Sequence, residues 1–487
     1  MSLLALDIGS SSIKGALVEV TESATAAGRI VVGPTCAEPF PAMVAGLPPG
    51  HFEVAPQPIV AACRRVVERV LAQSPSDCSP ITALVSCGQM GGVILVDRQG
   101  AARSNYLSWR DQRAMQPLTN QPPSKEPPSK EPLSYFDEFR GRLTAEDWIA
   151  LGREVQPGSP LTLLAWLARH DQLDRSGQVG PMSLGDYVWR QLAGGSHLLA
   201  RTQANGLLNL HTGQLHGDLF ERFGIADLYW PQLADEWQVS GRWKQLSGPL
   251  SQEIPCYPCV GDHPCALIGT RLEPTELSIN VSTGSQVSRL STSFEPGPYQ
   301  TRPYFAGQLL NTITHVPAGR SLNVLIDFMT EWSRSLGGSV TSDPWDYVIE
   351  QAARVRAGGA VAGPRVDLAF FAGPLGDRGS ISEITTENLT VGHLFASAFD
   401  AMAENYRQLV SRLCPQRDWS RIVLSGGLVQ RIEQLRAVII RRLSEQPNSS
   451  AGPDAARVDA EYRLALHTEE TLTGLGQLYG GVAEVAR

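Results

Sequence analysis

The sequence has no apolar run long enough to cross a bilayer. Its first residues carry no basic flank and reach Asp7 too soon for a secretion signal, so a cytoplasmic chain without a membrane partner is expected. An excess of positive charge is also missing: 41 Lys and Arg against 49 Asp and Glu leave a formal charge of −8. Nucleic acids and anionic membranes both select a basic face, so neither is expected as the main partner. Cysteine is sparse and scattered, with eight residues at 36, 63, 78, 87, 256, 259, 265 and 414. That pattern fits reduced thiols better than a disulfide framework. Cys256 and Cys259 have the spacing of a zinc knuckle or redox pair, with His263 and Cys265 nearby, but no second pair completes a metal site. What remains is an ordinary globular composition, 18% charged and 42% hydrophobic. At 487 residues the chain is too long for one core, and two large domains are expected.

The stretch from Leu3 to Val20 organises the rest. Two apolar runs, Leu3 to Ile8 and Ile13 to Val20, flank Gly9, Ser10, Ser11 and Ser12, which predicts a β-hairpin with a small-residue turn. Such a turn leaves room for backbone N–H groups and hydroxyls to close around a phosphate. Asp7 is the one acid in the first run. A carboxylate beside a phosphate requires a cation between them, which makes Asp7 a candidate Mg²⁺ ligand, directly or through water. Lys14 adds a positive charge on the returning strand. An ordinary hairpin with a polar turn is the plain alternative.

The device recurs. Leu277 to Leu290 again reads as strand, turn (Ser282, Thr283, Gly284, Ser285) and strand, which suggests two domains of one design facing each other across a nucleotide. A third turn, Gly426-Gly427, follows the short strand Ile422 to Leu424 and lets a flat ligand approach the backbone.

Between these motifs, Pro58 to Gln73 has apolar residues at helical spacing, and Ile81 to Ser86 is a buried strand leading into the loop Cys87 to Gly92. Gln89 in that loop offers a donor and an acceptor to a polyol. In Ser108 to Arg113, Trp109 can stack on a sugar face while Asp111 accepts from its hydroxyls; a surface ion cluster beside a core Trp is the alternative. Residues 117–134, with a tandem Pro-Pro-Ser-Lys-Glu, form a solvated insertion. Tyr135 to about Pro249 reads as mainly helical, and its polar turn Thr202 to Gly206 offers Asn205 to a ligand. Asp262, after a glycine and before a run of small residues, lies at the junction of the halves; a helix N-cap explains it equally well. Farther on, Val366 to Phe371 reads as a strand and Glu469 to Tyr479 as a closing helix whose Gly474 and Gly476 pack beside the nucleotide.

Together these residues resemble the FGGY carbohydrate kinases of the actin-like ATPase superfamily, over essentially the whole chain. The resemblance implies an α/β fold of two actin-like, ribonuclease H-like domains with an interdomain catalytic cleft, residues 1–252 binding sugar and 253–487 binding nucleotide. It implies that Asp7, Gly9, Ser10, Ser11 and Ser12 hold ATP phosphates and Mg²⁺, joined by Lys14. Ser282, Thr283, Gly284 and Ser285 form the second phosphate turn, and Gly426 and Gly427 meet the adenosine. Gln89, Met90, Trp109 and Asp111 contact the sugar, with Asn205 and His263 on the same side, and Asp262 is the catalytic base. Within the family, Asn280 to Gln286, Leu375 to Arg378 and Thr202 to Gly206 look most like sedoheptulokinase. The implied activity is ATP-dependent phosphorylation of a ketose at a terminal hydroxyl by a monomer or homodimer. A kinase for D-xylulose or ribulose, or a non-catalytic actin-like nucleotide switch, is the alternative. Relatives often carry a histidine after Gln-Met, where this chain has Gly91.

Overall fold

Strand Ser2–Ile8 is buried along nearly its whole length, as an apolar run covered on both faces must be. It pairs antiparallel with Ser12–Thr21 and parallel with Ile81–Gly88. The computed structural model, which describes residues 1–21, 29–74, 79–118, 133–244, 253–336, 343–358, 362–445, 461–465 and 469–480, repeats that arrangement once. Strand Glu276–Asn280 pairs antiparallel with Ser285–Ser291 and parallel with Arg421–Ser425. Each hairpin is the centre of a larger sheet, the first of eight strands and the second of six among the described residues. The expected pair of hairpins, one per half, is present.

Side chains alternate across a strand, and this decides what each face meets. Leu4, Leu6 and Ile8 pack with Ile59, Ala62 and Val66 of helix Pro56–Ala72. Leu3 and Ala5 point the other way, and Asp7 shares their face. On that side lies a pair of helices, Asp262–Gly269 and Glu470–Tyr479, here the seam helix and the closing helix. One apolar core joins Leu3, Ala5 and Val18 of the first sheet, Leu267, Leu472 and Leu475 of these helices, and Leu290, Leu310 and Val423 of the second sheet. The seam helix and closing helix meet with almost no space between them. A Cβ on Gly269 would lie 2.0 Å from the Glu470 carbonyl oxygen, and one on Gly474 would lie 2.0 Å from that of Cys265. Gly474 therefore serves helix contact, and Gly476 packs on Val18 and Ile30.

Three boundaries differ from the sequence reading. Glu253–Cys256 and Val260–Gly261 pair with Ile81–Gly88, so the residues opening the expected domain 253–487 lie in the first sheet. Residues 135–249 are mixed: helices such as Pro160–Arg169 and Leu184–Ala193 alternate with strands Val179–Met182, Leu198–Ala200 and Gly241–Lys244. Strands this short carry too few residues for an alternation to register. The strand at Val366 is only Arg365–Asp367. Most of the Pro-rich insertion, 119–132, lies outside the described residues; its base is closed by the Leu118 amide donating to the Leu133 carbonyl at 3.0 Å. Among the described residues no helix is long and apolar enough to cross a membrane.

Candidate active site

Because Asp7 shares a face with Leu3 and Ala5, its carboxylate enters the seam. Oδ2 accepts a 2.9 Å hydrogen bond from the Thr471 hydroxyl, and Oδ1 is buried without a hydrogen-bond partner among the described residues. Burial pushes this carboxyl above its ordinary value. Lys14, in register opposite Asp7, pairs with Glu469 at 3.1 Å. This half-exposed pair ties the returning strand to the closing helix's N-terminal flank. In the turn, Ser11 is exposed and Ser10 and Ser12 are half-buried.

Strand pairing brings a second acid to the same place. Val260 and Gly261 lie in register with Cys87 and Gly88, which lie in register with Asp7 and Ile8. Asp262 is the next residue. Gly261 occupies the N-cap and Asp262 is the first residue of the seam helix, so the N-cap reading is off by one. The Gly261 amide donates to Thr202 Oγ1 at 3.0 Å, and Gln203 Nε2 donates to the Gly88 and Val260 carbonyls at 3.0 and 3.1 Å. The turn at 202–206 thus reaches the seam through Thr202 and Gln203, whereas Asn205 is buried with Oδ1 unpartnered. Burial, reinforced by the nearby Asp7 charge, pushes Asp262 up to about 7, and Arg302 opposes the rise. Asp262 Oδ1 accepts from the His263 amide at 2.8 Å.

The expected sugar residues divide. The Gln89 amide accepts from the Tyr106 hydroxyl at 3.2 Å and reaches the Gly9 carbonyl at 3.5 Å, tying its loop to the phosphate turn. Met90 packs on Gly261, where a Cβ would lie 2.9 Å from its sulfur. Trp109 is 40% exposed, as a stacking surface requires. Asp111 is corrected: it is fully buried, Oδ1 accepts from the Arg113 amide and Nε, and Oδ2 from the Phe52 amide and the Arg113 guanidinium. Four donors fill its lone-pair positions and leave none for a hydroxyl. His263 is corrected too, since its ring faces Arg302 and Ser288 of the second sheet. Gly91 has φ +82°, and a Cβ there would lie 3.1 Å from that of Trp109. The missing histidine therefore coincides with a left-handed backbone that favours glycine.

In the second hairpin turn, Thr283 and Gly284 are exposed, and the Ser282 hydroxyl donates to Asn280 Oδ1 at 2.7 Å. Ser285 is a correction: it is buried, with its hydroxyl bonded to the Tyr406 hydroxyl at 2.7 Å and to the Asn280 carbonyl. Gly426, at φ +94°, starts the turn to Gly427. Glu470 in the closing helix accepts a hydrogen bond from the Gly426 backbone, and burial raises its carboxyl to about 7. Three consecutive residues, Glu469, Glu470 and Thr471, therefore reach Lys14, the Gly426 turn and Asp7 respectively. Sequence reading passed over all three, because contacts this distant leave no local pattern. Cys256, Cys259 and Cys265 are buried free thiols, and the described residues contain no group of three His, Cys, Asp or Glu that could hold a metal ion.

No protein-family model and no curated sequence matches the chain. Solved structures do. The xylulose kinase from Rhodospirillum rubrum shares 18% identity, with 98% of this chain and 89% of that one covered at a TM-score of 0.76. The ligand-bound xylulose kinase from Lactobacillus acidophilus shares 16% identity, with 99% and 90% covered at 0.77. The Plasmodium falciparum glycerol kinase with ADP shares 15%, with 98% and 90% covered at 0.76. The two-sheet α/β fold expected from the sequence is the fold of these proteins.

Proposed function

We propose that this chain is an ATP-dependent carbohydrate kinase that phosphorylates a terminal hydroxyl of a ketose in the cytoplasm. Sedoheptulose is the first candidate, on the strength of the sequence motifs. The reading keeps two domains, with the division after Gly261, where the strands of the first sheet end. One observation carries it: Asp262, half-buried and raised to about 7, follows Gly261 in the seam and feels the charge of Asp7. A base poised near neutrality suits removal of a proton from an alcohol, and two acids with opposed duties suit phosphoryl transfer better than a structural core.

In this mechanism Asp262 accepts the proton of the sugar hydroxyl as its oxygen attacks the γ-phosphorus of ATP, and the bond from that phosphorus to the β–γ bridging oxygen breaks, releasing ADP. The turns at Gly9 to Ser12 and Ser282 to Gly284, with the Gly426-Gly427 turn, hold the nucleotide in line. Gln89, Met90 and Trp109 orient the sugar, and closure of the halves excludes water as a competing acceptor. Asp7 Oδ1, buried and unpartnered, is a fitting ligand for Mg²⁺, an ion that keeps several waters and takes only one or two carboxylates from the protein. When bound there, the ion would neutralise phosphate charge.

Xylulose, gluconate and glycerol kinases among the similar structures support the kinase class and favour no one sugar. The test is ADP release over sedoheptulose, xylulose, ribulose, fructose, rhamnulose and glycerol, with a no-sugar control. Release that depends on one ketose supports the reading. ATP hydrolysis indifferent to every sugar, or nucleotide binding without turnover, sinks it in favour of an actin-like switch.

A further inference from the structure

An ion pair that the mechanism above does not use crosses between the halves beside Asp262. Arg302, on strand Gln300–Pro303 of the second sheet, places Nε on Glu154 of the first half. Its Nη1 lies 3.0 Å from His263 Nδ1. A guanidinium only donates, so Nδ1 must accept and the ring proton must sit on Nε2, which faces the Ser288 hydroxyl at 3.4 Å. Ser288 in turn shares a 2.8 Å hydrogen bond with Thr312. Burial and the Arg302 charge hold His263 well below its ordinary value, so the ring stays neutral in this tautomer.

The backbone delivering Glu154 is strained into place. Gly152 and Arg153 both have positive φ, at +65° and +56°, and left-handed backbone is unfavourable for arginine. The Thr301 amide donates to the Gly152 carbonyl at 2.9 Å, and a Cβ on Gly152 would lie 2.0 Å from the Thr301 carbonyl oxygen. The two halves are thus in backbone contact one residue from Arg302 and two from Glu154. Glu154 is 3% exposed, so the pair is desolvated, and breaking it leaves a buried charge alone. Facing Arg302 are Glu154, His263, His315 and Asp262; facing Asp262 are Asp7, Tyr106, Cys259 and Arg302.

We propose that Arg302 is a positioning residue that latches the halves together at Glu154 and, through His263, fixes the first turn of the seam helix and so the place of Asp262. The inference rests on the kinase reading for its catalytic consequence and on geometry alone for the latch. With the latch made, the acid stands where the attacking hydroxyl arrives; with it broken, the helix start is free to shift.

The test compares Arg302→Gln, Arg302→Lys, Glu154→Gln and the double variant Glu154→Gln with Arg302→Gln. Displacing a catalytic group by about 1 Å costs on the order of 10²-fold, so Arg302→Gln should lower kcat by about that factor with the KM for ATP little changed. Arg302→Lys, which keeps charge and a donor, should recover part of the loss. The double variant should be no worse than Arg302→Gln, since both partners serve one latch. Additive losses, or equal damage to kcat and to ATP binding, overturn the proposal. A second measurement needs no activity: ¹⁵N NMR of the His263 ring should show the neutral Nε2–H tautomer in the wild type, replaced by a mixed or protonated ring in Arg302→Gln. A ring unchanged by that substitution overturns the latch. Absence of sugar-dependent ADP release in the wild type counts against the kinase reading only, and the ring spectrum then decides the latch.

Discussion

The Thr471 hydroxyl hydrogen-bonds Oδ2 of Asp7 at 2.9 Å, joining residues 464 positions apart. The closing helix therefore holds one oxygen of the acid at the end of the opening strand and leaves the other free for a ligand. Division of labour between the two oxygens follows from the strand's alternation, which turns Asp7 toward the helix pair.

Thr471→Val keeps the shape and removes the donor. Asp7 Oδ2 would then lose its donor beside an Oδ1 already unpartnered among the described residues, at a cost of about 1–3 kcal/mol in a urea unfolding experiment. Thr471→Ser, which retains the hydroxyl, should stay near the wild type.

Asp262→Asn keeps the volume and removes the base. Turnover on the true sugar should fall about 10²–10⁴-fold, the usual worth of a positioned proton acceptor. Calorimetric titration with ADP should show affinity nearly intact, since the phosphate turns are untouched. A variant retaining kcat within a few-fold would falsify the assignment.

The pH dependence has a definite sign. Asp262 must be ionised to act as a base, so kcat/KM should climb through about pH 7. Stability should run the other way. The folded Asp262 titrates near 7 against 3.8 unfolded, and Glu470 near 7 against 4.5, so both favour the folded state while protonated and that support is lost as pH rises through this window. Asp262→Asn, uncharged throughout, should raise Tm relative to the wild type more at pH 8 than at pH 5.

Gly91 tests the departure from the family pattern. Gly91→His places a side chain on backbone at φ +82° and against the Trp109 Cβ. The strain costs about 1–2 kcal/mol, measurable by thermal unfolding, and Gly91→Ala should show most of it because the backbone is responsible. If both variants matched the wild type, the loop would have to be free to change conformation.

The hairpins, the helix at 56–72 and the seam position of Asp262 were legible because each is written in a few neighbouring residues: alternating apolar runs, a glycine turn, a lone acid after glycine. Asp111, Ser285 and His263 were misread for one shared reason. Each is the right residue type at the right motif position, but its polar atoms are taken by partners far along the chain: Phe52, Tyr406 and Arg302. For Asp111 the neighbour Arg113 contributes as well, and the notion of a surface ion cluster came near it, though the cluster is buried. Motif spacing tells which side chains gather at a site; it does not tell which have already been neutralised there by the fold.

The close fit of the closing helix against the seam helix also bears on synthesis. Leu472, Leu475 and Tyr479 supply part of the lining that Leu3, Ala5 and Val18 need, so strands made early wait for a helix made more than 450 residues later before their inner face is covered. A chain holding that greasy surface open until the closing helix is made exposes an aggregation-prone face for longer than a sheet packed by its own neighbours would.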